Sequence, residues 1–116
     1  MSLVSDCLFC RIVAGEIPAD LVLRTDDVVA FRDINPQAPV HVLVIPVEHH
    51  ANVAELSAKA PHLTAKVLEA AAVVAAQEGL GDQFRLVFNT GAEVGQSVFH
   101  VHGHVLGGRD FTWPPG

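Results

Sequence analysis

The sequence predicts an α+β fold in which a five-stranded antiparallel sheet carries one long helix and a short one. Three observations support it. Short β-branched, apolar runs recur along the chain. Only one segment holds helical periodicity over several turns, and the connections between strands are mostly too short for helical crossovers. The length of 116 residues, with 50% hydrophobic and 17% charged side chains, suits a single domain over 1–116 and excludes an intrinsically disordered chain.

The elements follow in order. Met1–Ser5 is expected to be loose, as termini usually are. Cys7–Ala14 reads as a short helical turn stopped at Gly15, with Ile17-Pro18 as its exit. Leu21–Thr25 and Val28–Arg32, separated by Asp26-Asp27, read as a hairpin. Asp33–Pro39 has two prolines and predicts a rigid polar loop suited to ligand contact. His41–Ile45 is a nearly all-apolar strand, which implies burial on both faces. Asn52-Val-Ala-Glu55 has reciprocal capping spacing and opens the short helix. The long helix starts near Pro61, ends at Gly79 and lines up Leu63, Val67, Ala71 and Val74 on one face. Phe84–Phe88 reads as the fourth strand, 89–97 as a loop and Val98–Leu106 as the fifth strand.

Seven Lys and Arg against 13 Asp and Glu give a net charge of −6, with no basic run. That argues against a clamp on nucleic-acid polymers and leaves a small anionic ligand open. No apolar stretch is long enough to span a bilayer and no secretory leader is recognisable, so a cytoplasmic protein without membrane association is expected. Two cysteines are too few for a secreted disulfide scaffold, so Cys7-x-x-Cys10 points to metal or redox chemistry. A thioredoxin-like role would need the pair to open a helix after a strand in a βαβ unit, which is lacking.

Histidine is over-represented, with seven residues against no tyrosine, and three lie in His100-Val-His102-Gly-His104. On a strand, residues two apart share a face, so the three imidazoles should project together, offset by roughly 6.5–7 Å at about 3.3 Å per residue. A row of imidazoles repels itself when protonated and lacks partners when buried, so packing alone explains it poorly. The residues leave two uses open: metal ligands, or one ring as a nucleophile.

The segment from Gln96 to Arg109 resembles the signature of the histidine triad (HIT) superfamily, His-x-His-x-His followed by two apolar residues, especially its nucleotide-binding phosphoramidase branch. Glu16-Ile-Pro18, Phe31–Pro39, His41–Pro46 with His49, Asn89 and Trp113–Gly116 extend the resemblance along most of the chain. The resemblance implies hydrolysis of nucleoside 5′-phosphoramidates, adenosine-type, with His102 as nucleophile and a nucleotidyl-histidine intermediate. It further implies that His104 donates to the phosphoryl oxygens, that His41 supports the triad, and that Asn89, Gly95, Gln96 and Ser97 surround the phosphate, with Ser97 near the departing amine. Asp33 resembles the carboxylate that accepts from the ribose hydroxyls, and Ile34 and Phe31 the walls of the base pocket. Taken alone, Asp33 is more readily a loop cap and Gly91–Gly95 a turn. Gly103 departs from the larger apolar residue common at that position.

Bacterial-type members with such a cysteine pair bind structural zinc. The corresponding ligands are Cys7, Cys10, His49 and His100, with His50 as a rival and His62 an ordinary surface residue. A closed set of four leaves no open position for a reactive water. The resemblance also implies a homodimer, with the tail 107–116 near the interface. The partners expected are purine nucleotides or nucleoside phosphoramidates. Two other readings stand beside it: a nucleotide-binding regulator whose hydrolysis is incidental, and a metallohydrolase using the histidine row.

Overall fold

Strand-forming runs separated by tight turns give an antiparallel ladder, and a computed structural model describing residues 6–116 shows it. The strands are β1 (Leu21–Arg24), β2 (Val28–Arg32), β3 (Val40–Pro46), β4 (Arg85–Phe88) and β5 (Gly103–Gly107), in the spatial order β1-β2-β3-β5-β4. Every neighbouring pair is antiparallel. The helices are α1 (Leu8–Val13), α2 (Val53–Lys59) and α3 (Pro61–Gln77), with a 3-10 turn at Ala92–Val94. The expectation for 1–5 lies outside the described residues.

Turn and cap chemistry fixes the boundaries. The Thr25 hydroxyl accepts the amides of Asp27 and Val28 at the β1–β2 turn. Asn52 caps α2 by accepting the Glu55 amide at 2.9 Å, and Glu55 reaches back to the Ala51 amide at 3.2 Å, one residue beyond the expected partner. Gly79, at φ 82°, lets the chain leave α3, with the Leu80 amide bonded back to Ala75.

The central strands are covered on both sides. Val28 and Ala30 of β2, with Val42 and Val44 of β3, face Leu56, Val67, Ala71 and Val74 of α2 and α3. The alternate residues Val29, Phe31, Leu43 and Ile45 face Phe9, Ile12 and Val13 of α1. This is the burial that the apolar run in β3 predicts. The alanines of α3 let it sit close to the sheet, while α1 roofs the opposite face beside the histidines.

One element differs from expectation. The fifth strand spans Gly103–Gly107 only, and 98–102 leave the ladder. The Val101 amide bonds the His50 carbonyl at 2.7 Å instead of a strand partner, which turns His100 away from the row. Gly103 is explained by its neighbour: a Cβ there would stand 2.8 Å from the tip of the Phe88 ring, so Phe88 fills the space that a larger residue would take. Among the described residues no helix is long and apolar enough to cross a membrane.

Candidate functional site

A cavity of about 620 Å³ opens between α1 and the sheet. Its walls include Phe9, Ile12, Phe31, Leu43 and Val98, and its polar edge includes Asp33, Gly95, Ser97, His102 and His104. The triad is split between this cavity and a second centre. The rings of His102 and His104 are 5.0 Å apart, closer than the strand offset, because His102 precedes the strand and folds toward it. The His100 ring is fully buried elsewhere.

Hydrogen bonds fix which nitrogen of each ring carries its proton. His102 Nδ1–H donates to the His100 carbonyl at 2.8 Å, so a neutral His102 keeps its lone pair on Nε2. His41 Nδ1 accepts the Gln37 amide at 3.0 Å, which puts the His41 proton on Nε2. That proton meets His104 Nδ1 at 2.9 Å, so the His104 proton sits on Nε2. One ring therefore offers a lone pair and its neighbour a donor. Burial lowers the pKa of His102, opposed by its bond to the His100 carbonyl and by Asp33. Burial lowers His104 to about 4, helped by His102 and His41. His41 is lowered by burial, against the pull of Asp33.

Asp33 stands in the loop after β2, held where its amide bonds the His41 carbonyl. One carboxylate oxygen caps the loop by accepting the Asn35 amide at 2.8 Å, and the other lies 3.4 Å from His41 Nε2. The loop-cap role and a place in the cavity wall coincide. Ile34 is wholly exposed at the lip and Phe31 is buried in the wall. The Arg32 guanidinium, also at the edge, is paired with Glu78 and with Asp20, which leaves the cavity without an unpaired cation among its described lining. Gly95, at φ 103°, lines the cavity, and a Cβ built on it would stand 3.8 Å from the Asn89 side-chain nitrogen. Gln96 does not face the cavity: it is 3% exposed and directed inward.

The second centre is built from Cys7, Cys10, His49 and His100, whose donor atoms all lie within 4.8 Å of one another. Three S···N separations, Cys7–His100, Cys10–His49 and Cys10–His100, are 3.3–3.5 Å, and the N···N separation is 3.2 Å. A tetrahedral ion at about 2.3 Å from sulfur and 2.0–2.1 Å from nitrogen sets edges of about 3.5 and 3.3 Å. The four residues fit such an ion. His100 Nε2–H donates to the Pro46 carbonyl at 2.8 Å, so its Nδ1 lone pair faces the sulfurs. Burial, foremost, holds His100 neutral, with a pKa of about 4. The Cys7 sulfur also accepts the Cys10 amide at the start of α1. His50 is turned away, bonded to Glu48 at 2.8 Å, and His62 is exposed.

Asp33, His41 and His104 also bring three donor atoms together. Their geometry is that of a hydrogen bond rather than of chelation. The facing nitrogens of His41 and His104 are closer than those of His49 and His100, 2.9 against 3.2 Å, yet their rings are farther apart, 5.2 against 4.9 Å. Rings that point straight at each other behave so, whereas rings converging on a third point do not.

Sequence reasoning missed Phe9, whose ring stands edge-on to His102 at 5.0 Å, and the Gln37 amide that sets the tautomer of His41. The position of Phe9 between the two cysteines was the available signal for the first. A backbone donor carries none.

A family model described as HIT domain matches residues 14–111. A 14 kDa zinc-binding protein of Brassica juncea is 44% identical, covering 96% of this chain and all of its own. Adenylylsulfatase HINT1 of Arabidopsis thaliana is 44% identical over 97% of this chain and 78% of its own. The crystal structure of a HIT family hydrolase from Legionella pneumophila superposes with a TM-score of 0.91 at 48% identity, covering 96% of this chain and all of that one.

Proposed function

The chain belongs to the HIT domain family, and from that membership we propose that it is an enzyme that hydrolyses purine nucleoside 5′-phosphoramidates at the P–N bond. The observation that carries the reading is the complementary protonation of two adjacent rings, a lone pair on His102 Nε2 and a donor on His104 Nε2. His102 Nε2 attacks the α-phosphorus, the P–N bond breaks as the amine nitrogen takes a proton from solvent, and the neutral amine departs past Ser97. A water then attacks the nucleotidyl-histidine, the Nε2–P bond breaks, and the nucleoside monophosphate leaves. His104, Gly95, Asn89 and Ser97 stabilise the negative charge that gathers on the phosphoryl oxygens. Asp33 accepts from the ribose hydroxyls, and Ile34 and Phe31 hold the base. The adenylylsulfatase name of one relative supports nucleotidyl transfer to water as the shared chemistry.

Cys7, Cys10, His49 and His100 hold zinc in this reading, and the zinc-binding name of the Brassica relative supports that choice of ion. Such an ion supplies a cross-link between α1, the segment after β3 and the triad. With four protein ligands it has no open position for catalysis. The protein acts in the cytoplasm as a homodimer.

The test is steady-state hydrolysis of adenosine 5′-phosphoramidate by the parent and by His102→Ala. Turnover should fall by a factor on the order of 10³ or more, and denatured parent quenched during turnover should carry adenylate on His102. Negligible turnover by the parent with nucleotide binding retained would replace the enzyme by a binding regulator. Activity that disappears with zinc in a still-folded protein would favour the metallohydrolase.

A further inference from the structure

The resemblance set Gln96 among residues around the phosphate, yet its side chain is buried and its polar atoms are engaged with the protein. The pattern of that engagement is specific. Gln96 Oε1 accepts the Gly91 amide at 2.9 Å, while the Gln96 amide donates to the Gly91 carbonyl at 3.1 Å. Both polar groups of Gly91 are thereby tied to one residue, which closes the loop 91–96 into a ring. Gln96 Nε2 then donates to the Ala51 carbonyl at 2.7 Å and to the Val98 carbonyl at 3.1 Å. The bond to Val98 straddles Ser97, and the bond to Ala51 fastens the ring to the segment that follows His49 and His50.

We propose that Gln96 is a positioning residue that holds Gly95 and Ser97 at the reacting phosphate without touching it. The proposal rests on the hydrolase reading of the same cavity. Gly95 and Ser97 flank Gln96 and line the cavity, whereas Gln96 points the opposite way. Oriented donors stabilise a transition state only if they need not reorganise when charge develops. Both loop glycines, Gly91 and Gly95, sit at φ 103°, a region that favours glycine, and the backbone bonds within 91–95 join the loop only to itself, so its attachment to the rest of the chain falls to other groups. Among the described side chains, Gln96 alone makes hydrogen bonds to this loop, to the chain after it and to the segment before α2.

The experiment compares the parent with Gln96→Met, which keeps the length and removes all three side-chain bonds. Adenosine, which has no phosphate, should bind Gln96→Met within twofold of the parent. Phosphoramidate turnover should drop about ten- to a hundred-fold, mostly in kcat, and adenosine monophosphate should bind more weakly. Amide exchange should accelerate across 91–97 and stay unchanged in β3. Unchanged kcat, or a loss of adenosine affinity parallel to the loss of turnover, overturns the proposal. Gln96→Glu serves if the Met variant does not fold: it keeps an acceptor for Gly91 but replaces the donor to Ala51 and Val98 by a carboxylate oxygen set against their carbonyls, so its kcat should also fall and its loop exchange should accelerate. Unaltered kcat and exchange in Gln96→Glu also overturn it. A parent without phosphoramidate turnover defeats the hydrolase reading instead. The positioning role is then read from adenosine monophosphate against adenosine affinity and from exchange, neither of which needs chemistry.

Discussion

His104 refuses a proton that the unfolded chain would accept, because the ring is buried beside His102 and His41. Its pKa falls from 6.5 to about 4, so the unfolded state binds more protons than the folded state between those values. The stability tied to a neutral His104 is therefore complete above pH 6.5 and is lost as the pH falls toward 4. Urea midpoints measured across this window should decline with acidification, and His104→Asn should decline less steeply than the parent. Equal slopes would mean that the ring is not held neutral by the fold. The same neutrality belongs to a chain of net charge −6 with no unpaired cation among the described residues that line the cavity. Short-range donors can bind one anionic phosphoryl group where the diffuse charge of the surface is screened beyond about 8 Å.

At the scale of elements, α1 has two duties, because it roofs the cavity with Phe9 and Ile12 and brings Cys10 to the candidate metal site. Its six residues cost ~1–2 kcal/mol each to order, and its buried Phe9, Ile12 and Val13 return ~1.5–3 kcal/mol each. The two sums nearly cancel, so a metal bound at the proposed site would decide whether the helix stays docked. Chelation of the zinc-loaded protein, or Cys10→Ser, should lower the thermal midpoint by several degrees or more and speed amide exchange in α1 before that in β3. Retained α1 protection in a metal-free sample would show that packing suffices. Strand and helix boundaries were legible where periodicity and caps coincide, as at Asn52, Pro61 and Gly79. The alternation of His100, His102 and His104 misled, since a period of two marks a strand only when backbone bonds follow it. Here the Val101 amide is taken by His50 and the His100 ring by the cysteines.

For the whole molecule, the ligand sets were legible as residue types in order, and Cys7, Cys10, His49 and His100 do meet. Orientation was not legible. The inward turn of Gln96 and the donor that fixes His41 depend on backbone groups that every residue carries. The tail extends the same point: Phe111 lies against Arg109 and Arg85, and Arg85 holds the Thr112 carbonyl, while Trp113 remains 83% exposed. A large exposed aromatic beside an anchored segment suits contact with a second copy. Light scattering should give twice the 12.4 kDa of one chain, and removal of residues 112–116 should shift the mass toward the monomer. A monomeric parent would refute the dimer.

The candidate ligands at positions 7, 10, 49 and 100 also set an order in time. A ribosome adding about 5–20 residues per second releases the two sulfurs roughly 5–20 seconds before the last imidazole, because Cys10 and His100 are 90 positions apart. During synthesis the two cysteines precede both histidines of the set, and His102, the proposed nucleophile, follows His100 by only two residues. Under the proposed reading, closure of the metal site and completion of the reactive pocket are therefore one late event in the life of each chain.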